Sequence, residues 1–224
     1  MNLKEISSMR TLGRGLELKS IAILLCIGCL WILALPLHAE EKTPPSLRLY
    51  DKGQLSVQVV GGFLAGPMFV KTQRPQFALY QVNFRLGWVF SHPADPRYFF
   101  KGNFEGLLEA TYSDVNRRLH GYFGGGGILL RYNILSIQNR GVIPYFQVGA
   151  GIVRNNIYKD ENQWMIGGPT EFTLRSGLGM RFVIADRWSL DAEGALEHIS
   201  NAGLSDRNQG MNASGFLVGI THYF

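Results

Sequence analysis

From residue 170 to the end, the chain alternates between apolar and polar positions. Phe172, Leu174, Leu178, Met180, Phe182 and Ile184 share one parity, with Ser176 as its polar member. Thr173, Arg175, Gly177, Gly179 and Arg181 share the other. Successive side chains of a strand point to opposite faces, so a period of two predicts a strand with one apolar and one polar face. The next segment repeats the pattern, with Trp188, Leu190, Ala192, Gly194 and Leu196 against Ser189, Asp191, Glu193, Ala195 and Glu197. In the last, Phe216, Val218, Ile220 and Phe224 oppose Leu217, Gly219, Thr221 and Tyr223. Reading back with turn-forming stretches as breaks ("AGPM", "SHPADP", "SDVN", "QNRG", "NQWMIGGP", "ADR", "NAGLSDRNQG") predicts eight strands. They cover roughly 54–63, 77–90, 102–112, 119–134, 142–154, 170–184, 187–200 and 211–224. The glycine run in "GYFGGGG" reads as a strand trimmed for close packing or bending. No lysine or helix start follows it, so it is no phosphate cradle.

A soluble sandwich also alternates, and three features favour a membrane barrel instead. The polar face carries both signs of charge (Arg175, Arg181, Asp191, Glu193, Glu197), which suits a narrow interior of mutually paired side chains. The other face is an apolar band, with Trp188, Tyr223 and Phe224 near strand ends where interfacial aromatics belong. The chain also stops on an aromatic, "THYF", and so resembles many outer-membrane barrels. A fourteen-residue strand tilted near 45° covers roughly 30 Å of the membrane normal. The predicted fold is therefore all-β: an eight-stranded antiparallel transmembrane β-barrel of the bacterial outer membrane, spanning 54–224. An even strand count puts both ends at the periplasm, the short "ADR" link with them, and the long 155–169 and 201–210 links outside. The link "SHPADPRYFFKG" is long for a periplasmic turn.

The N-terminus has the layout of a secretory signal peptide: Lys4, Arg10, Arg14 and Lys19, then the apolar "IAILLCIGCLWILALPLHA". Cleavage after Ala39 is expected, with a polar leader over 40–53. A retained anchor and a lipoprotein acylated at Cys29 are the competing readings. No segment after residue 39 has 18 consecutive apolar residues, so no second helical span is expected.

Processing changes the chemistry available. Both cysteines, Cys26 and Cys29, leave with the signal, which excludes disulfides, zinc–thiolate sites and a cysteine nucleophile. Four of the 22 basic and two of the 17 acidic side chains leave as well, so net charge falls from +5 to +3. No basic cluster exceeds "NRR", and nucleic acid is not an expected partner. His120 and His222 lack Asp or Cys at metal-ligand spacing, so no metal or other cofactor is expected. His92 and Asp95 read as a turn. Glu105 and Glu109, on one face of strand three, read as interior partners for arginines rather than as a glycosidase pair.

One constellation stands out. His198 and Ser200 continue the even, lipid-facing side of strand seven at its outer-leaflet end. Antiparallel pairing would bring Asn212, on the even face of strand eight, beside them. A histidine can take the proton of a serine hydroxyl and later return it to a leaving alcohol, provided a third group holds the ring. Backbone amides of a glycine-containing turn such as "NAGL", with an Asn side chain, suit an oxyanion. A site opening into the outer leaflet meets acyl chains, so its natural bond is a lipid ester. Polar residues at headgroup level also need no special explanation, and on spacing alone that reading stays open.

The stretch "HISNAGLSDRNQGMN" resembles the signature of the PagL family, outer-membrane lipid A 3-O-deacylases, with its His-x-Ser-Asn-Ala-Gly followed by an Asn and a Gly. The tight match covers about 15 residues, supported by strand count, length and signal peptide. The resemblance implies an eight-stranded barrel with a Ser–His hydrolase site on its outer surface and no cofactor. His198 would be the general base and Ser200 the nucleophile. Asn201, Ala202, Gly203 and Asn208 would form or support the oxyanion hole. The implied substrate is lipid A within lipopolysaccharide, cleaved at an ester-linked acyl chain, the 3-O chain by the family's name. Outer-membrane lipids are its surroundings, and a homodimer remains open. The departure is Asn212, where the family's best-known pattern has a glutamate. Either an amide orients the histidine in a slower enzyme or another acid serves. Asp206 is available, whereas Glu197 points to the opposite face. The rival is a non-catalytic small barrel with a structural or adhesion role.

Overall fold

The computed structural model describes residues 47–66, 76–93, 101–136 and 141–224. The signal-peptide segment, residues 40–46 of the leader, and much of the "AGPM", "SHPADP" and "QNRG" breaks lie outside those residues. Eight strands follow in order: β1 (Leu55–Gly66), β2 (Phe77–Val89), β3 (Gly102–Arg117), β4 (Gly121–Ile134), β5 (Val142–Asn155), β6 (Thr170–Ala185), β7 (Trp188–Ser200) and β8 (Met211–Tyr223). Each pairs antiparallel with the next, and β1 pairs with β8, so the sheet closes into a barrel with no free edge. Closure satisfies every ladder within the wall, which a lipid-facing sheet requires.

Three boundaries differ from the sequence reading by two residues or more, the first being β1, which continues past 63 to Gly66. β3 runs through "SDVN" to Arg117, because Ser113 turns inward and the ladder continues through Ser113↔Phe123 and Val115↔Gly121. Turn-forming residues bend a chain only where no neighbouring strand holds them. β4 starts at Gly121, leaving Leu119 and His120 to the β3–β4 turn.

Alternation sorts the two faces as expected. Outward lie Phe84, Leu108, Ile128, Leu178 and Phe216, all exposed to the bilayer. A belt of rings, Trp88, Phe90, Phe104, Tyr132 and Phe146, runs along the periplasmic end of β2 to β5 with neighbouring centroids 4.9–6.2 Å apart. Tyr223, expected in that belt, instead turns inward, where its hydroxyl meets those of Tyr50 at 2.8 Å and Ser189 at 3.3 Å. Its odd parity puts it on the interior face, and parity outranks residue type.

The middle of the barrel is a charge lattice. Arg85 donates to Glu109 at 2.7 Å and Glu193 at 2.8 Å. Arg181 bridges Glu105 and Asp191, each at 3.0 Å, and Arg175 holds Glu197 at 2.8 Å and also Glu109. Glu105 and Glu109 are thus interior partners of arginines. Buried charges persist only when paired and hydrogen-bonded, and here each carboxylate meets at least one guanidinium.

Apolar clusters close both ends of the lattice. Leu49 and Tyr50, in a 3-10 turn (Leu47–Tyr50) within the expected leader, pack on Leu135, Ile143 and Tyr223 at the periplasmic end. At the outer end Phe77, Phe123, Ile199 and Met211 meet Ile157, Met165 and Ile166 of the β5–β6 loop. That loop is thereby part of the core, and it carries the support of the site described next.

Candidate active site

His198 and Ser200 end β7 on the outward side, and both are half-buried. Register places Asn212 of β8 directly opposite His198, and Leu174 of β6 on its other flank. His198 Nε2 lies 3.0 Å from Ser200 Oγ. Its Nδ1 lies 2.6 Å from Asn212 Oδ1. A carbonyl oxygen can only accept, so Nδ1 donates to Asn212 and Nε2 is the ring nitrogen turned to the serine hydroxyl. The arrangement is a hydroxyl at one ring nitrogen and an amide oxygen at the other.

Neither of the two acids near this segment contacts the ring. Glu197 is buried inside and bound to Arg175, on the wrong side of the wall. Asp206 is exposed in the β7–β8 loop and makes neither of the two bonds to the ring.

The loop after Ser200 is built around Asn201, which is buried. Its N–H donates to Asn208 Oδ1 at 3.0 Å, and its Nδ2 donates to Ser205 Oγ at 2.8 Å and the Arg207 carbonyl at 3.2 Å. Asn201 Oδ1 accepts from the Gly203 N–H at 3.0 Å, and its carbonyl accepts from Leu204 N–H at 3.1 Å. The turn is tight enough to hold Ala202 (φ 56°) and Gly203 (φ 83°) in the left-handed region. Both asparagines therefore shape the turn, while the Ala202 N–H takes part in none of these bonds and sits two residues from Ser200.

Four supports lie outside the predicted site residues. Gly210 has φ 68°, and a Cβ there would stand 3.0 Å from His198 Cε1, so the backbone lies against the imidazole. Its N–H donates to the Met165 carbonyl, and Gln209 N–H to that of Trp164, both at 3.1 Å. Arg207 forks onto the carbonyls of Tyr158 (2.7 Å), Asp160 (2.8 Å) and Gln163 (3.3 Å). Gly167 completes the seam, since a Cβ there would overlap Ser205 Oγ and the Arg207 carbonyl. Gln163 ties the β5–β6 loop itself, accepting from the Met165 and Ile166 amides at 2.8 and 2.9 Å. Only Gly210 left a trace in the sequence, as the glycine two before Asn212.

The profile of the lipid A 3-O-deacylase (PagL) family matches residues 80–221, which contain all of these groups. The chain belongs to the PagL family. Membership makes it an outer-membrane barrel of a family of lipid A deacylases, ester hydrolases whose substrate lies in the same membrane. Among solved structures, the outer membrane enzyme PagL is 18% identical, covering 74% of this chain and 97% of its own, with a TM-score of 0.49. Neisserial surface protein A is 12% identical, covering 76% of this chain and 96% of its own, with a TM-score of 0.51. The second likeness is one of fold. No curated protein matches the chain. In this PagL-family barrel, Asn212 is the residue whose side-chain oxygen meets His198 Nδ1.

Proposed function

We propose that this barrel removes the 3-O-linked acyl chain of lipid A by a Ser200–His198 mechanism with Asn212 as orienting group. The observation that carries the reading is the aligned pair of contacts on one imidazole, to Ser200 Oγ and Asn212 Oδ1, on the lipid-facing wall. His198 Nε2 takes the hydroxyl proton as Ser200 Oγ attacks the ester carbonyl. The new oxyanion is met by the Ala202 N–H, with Gly203, Asn201 and Asn208 fixing that amide's direction. Collapse expels the sugar hydroxyl, which receives the proton from His198. Water, deprotonated by the same nitrogen, then hydrolyses the acyl-serine, giving a free fatty acid and the original serine. The imidazolium formed between steps faces an amide dipole rather than a carboxylate, so its stabilisation is weaker and turnover is modest.

Purified protein in detergent with lipopolysaccharide tests this by mass spectrometry of the lipid products. The expected result is loss of one hydroxyacyl chain from the 3 position, with Ser200→Ala and His198→Ala about 10³-fold slower or worse. Release from another position would overturn the 3-O assignment. A Ser200→Ala protein as active as wild type would overturn the mechanism.

A further inference from the structure

We propose that Arg154 binds a phosphate of the lipid A headgroup and so sets the acyl ester over Ser200; this rests on the deacylase reading above. Four strand arginines, Arg85, Arg131, Arg175 and Arg181, point into the barrel and are buried or nearly so among its carboxylates. Arg154, next to the end of β5, has the opposite parity and is exposed on the outer wall. Among the described residues no carboxylate pairs with it. An outward cation is costly at the bilayer midplane and nearly free at the interface, so this position is stable where headgroup anions lie.

The register connects it to the site. Across the outer face, Ile152 pairs with Phe172, and Phe172 pairs with Ser200. Arg154 is one outward position above Ile152, with Thr170 as its cross-strand partner. Two strand spacings and one side-chain repeat put the Arg154 and Ser200 Cα atoms about 12 Å apart. An arginine stem reaching along the wall covers about half of that, leaving room for one sugar ring between an anion and an ester. Below Arg154 the wall is apolar, with Ile152, Phe172 and Leu174 all exposed. The strip from cation to apolar wall, with the nucleophile at its edge, matches a phosphorylated sugar bearing acyl chains. A guanidinium fork takes a phosphate through two parallel hydrogen bonds, with the Thr170 hydroxyl as a further donor.

The test compares bis-phosphorylated lipid A with the same lipid after enzymatic dephosphorylation, in neutral-detergent micelles that remove the bilayer's own charge. Arg154→Gln should lower kcat/KM on the phosphorylated lipid about tenfold or more, mainly through KM, and leave the dephosphorylated lipid unchanged. Wild type should lose a similar factor when the phosphates are removed. Arg154→Lys should retain part of the preference, and Arg118→Gln, in the β3–β4 turn, all of it. Equal rates of wild type and Arg154→Gln on phosphorylated lipid, or an equal loss on both lipids, would overturn the proposal while leaving the hydrolase intact. A wild-type protein inactive on both lipids would instead overturn the deacylase reading, and this inference with it.

Discussion

Asn212 stands directly across the β7–β8 ladder from His198, its Oδ1 2.6 Å from Nδ1. In the proposed mechanism the amide fixes the tautomer but brings no charge to the imidazolium. Asn212→Glu is therefore expected to raise kcat by about tenfold, since a carboxylate in that position would stabilise the imidazolium as well as orient the ring. Asn212→Ala should lower it further. Steady-state rates on lipid A decide the matter, and an unchanged rate in Asn212→Glu with the barrel intact would place the orienting group elsewhere.

Gly210 is expected to be as sensitive as a residue of the site itself. Gly210→Ala puts a methyl against His198 Cε1 at a φ of 68°, costing about 1–2 kcal/mol of local strain. The loop relieves this by moving the imidazole, so kcat should fall about tenfold to a hundredfold with KM little changed. Heat-modifiable migration of the barrel on gels should stay normal.

Arg207 joins the two outer loops through three carbonyls. Arg207→Ala should speed amide hydrogen exchange in both 156–169 and 201–210 and lower kcat. Arg207→Lys, a point donor in place of a fork, should restore only part of the protection. Unaltered exchange in the β5–β6 loop would mean that the apolar cap under Ile157, Met165 and Ile166 holds it alone.

In the barrel interior, Arg85→Ala leaves Glu109 and Glu193 buried beside a missing guanidinium. Removing one side of such a pair costs about 3–5 kcal/mol. Urea unfolding in detergent micelles should show that loss while the outer-wall geometry, and hence activity at low denaturant, is retained.

The sequence by itself determined the strand count, the parity of the last three strands and the side of the wall on which His198, Ser200 and Asn212 lie. These are properties of a period of two, which survives without knowledge of any partner strand. It also carried the motif that ties the site to its family. What only the tertiary structure decided are the contacts made between segments far apart in the chain. Leu49 and Tyr50 read as a polar leader's tail, yet they fill the periplasmic end of the barrel against Tyr223. "SDVN" reads as a turn, yet pairing with β4 extends it as strand. Arg207 carries no local signal, because its partners are carbonyls 44 to 49 residues away, and carbonyls have no sequence. Periodicity names the face of a side chain; only closure of the barrel and docking of its loops names the neighbour.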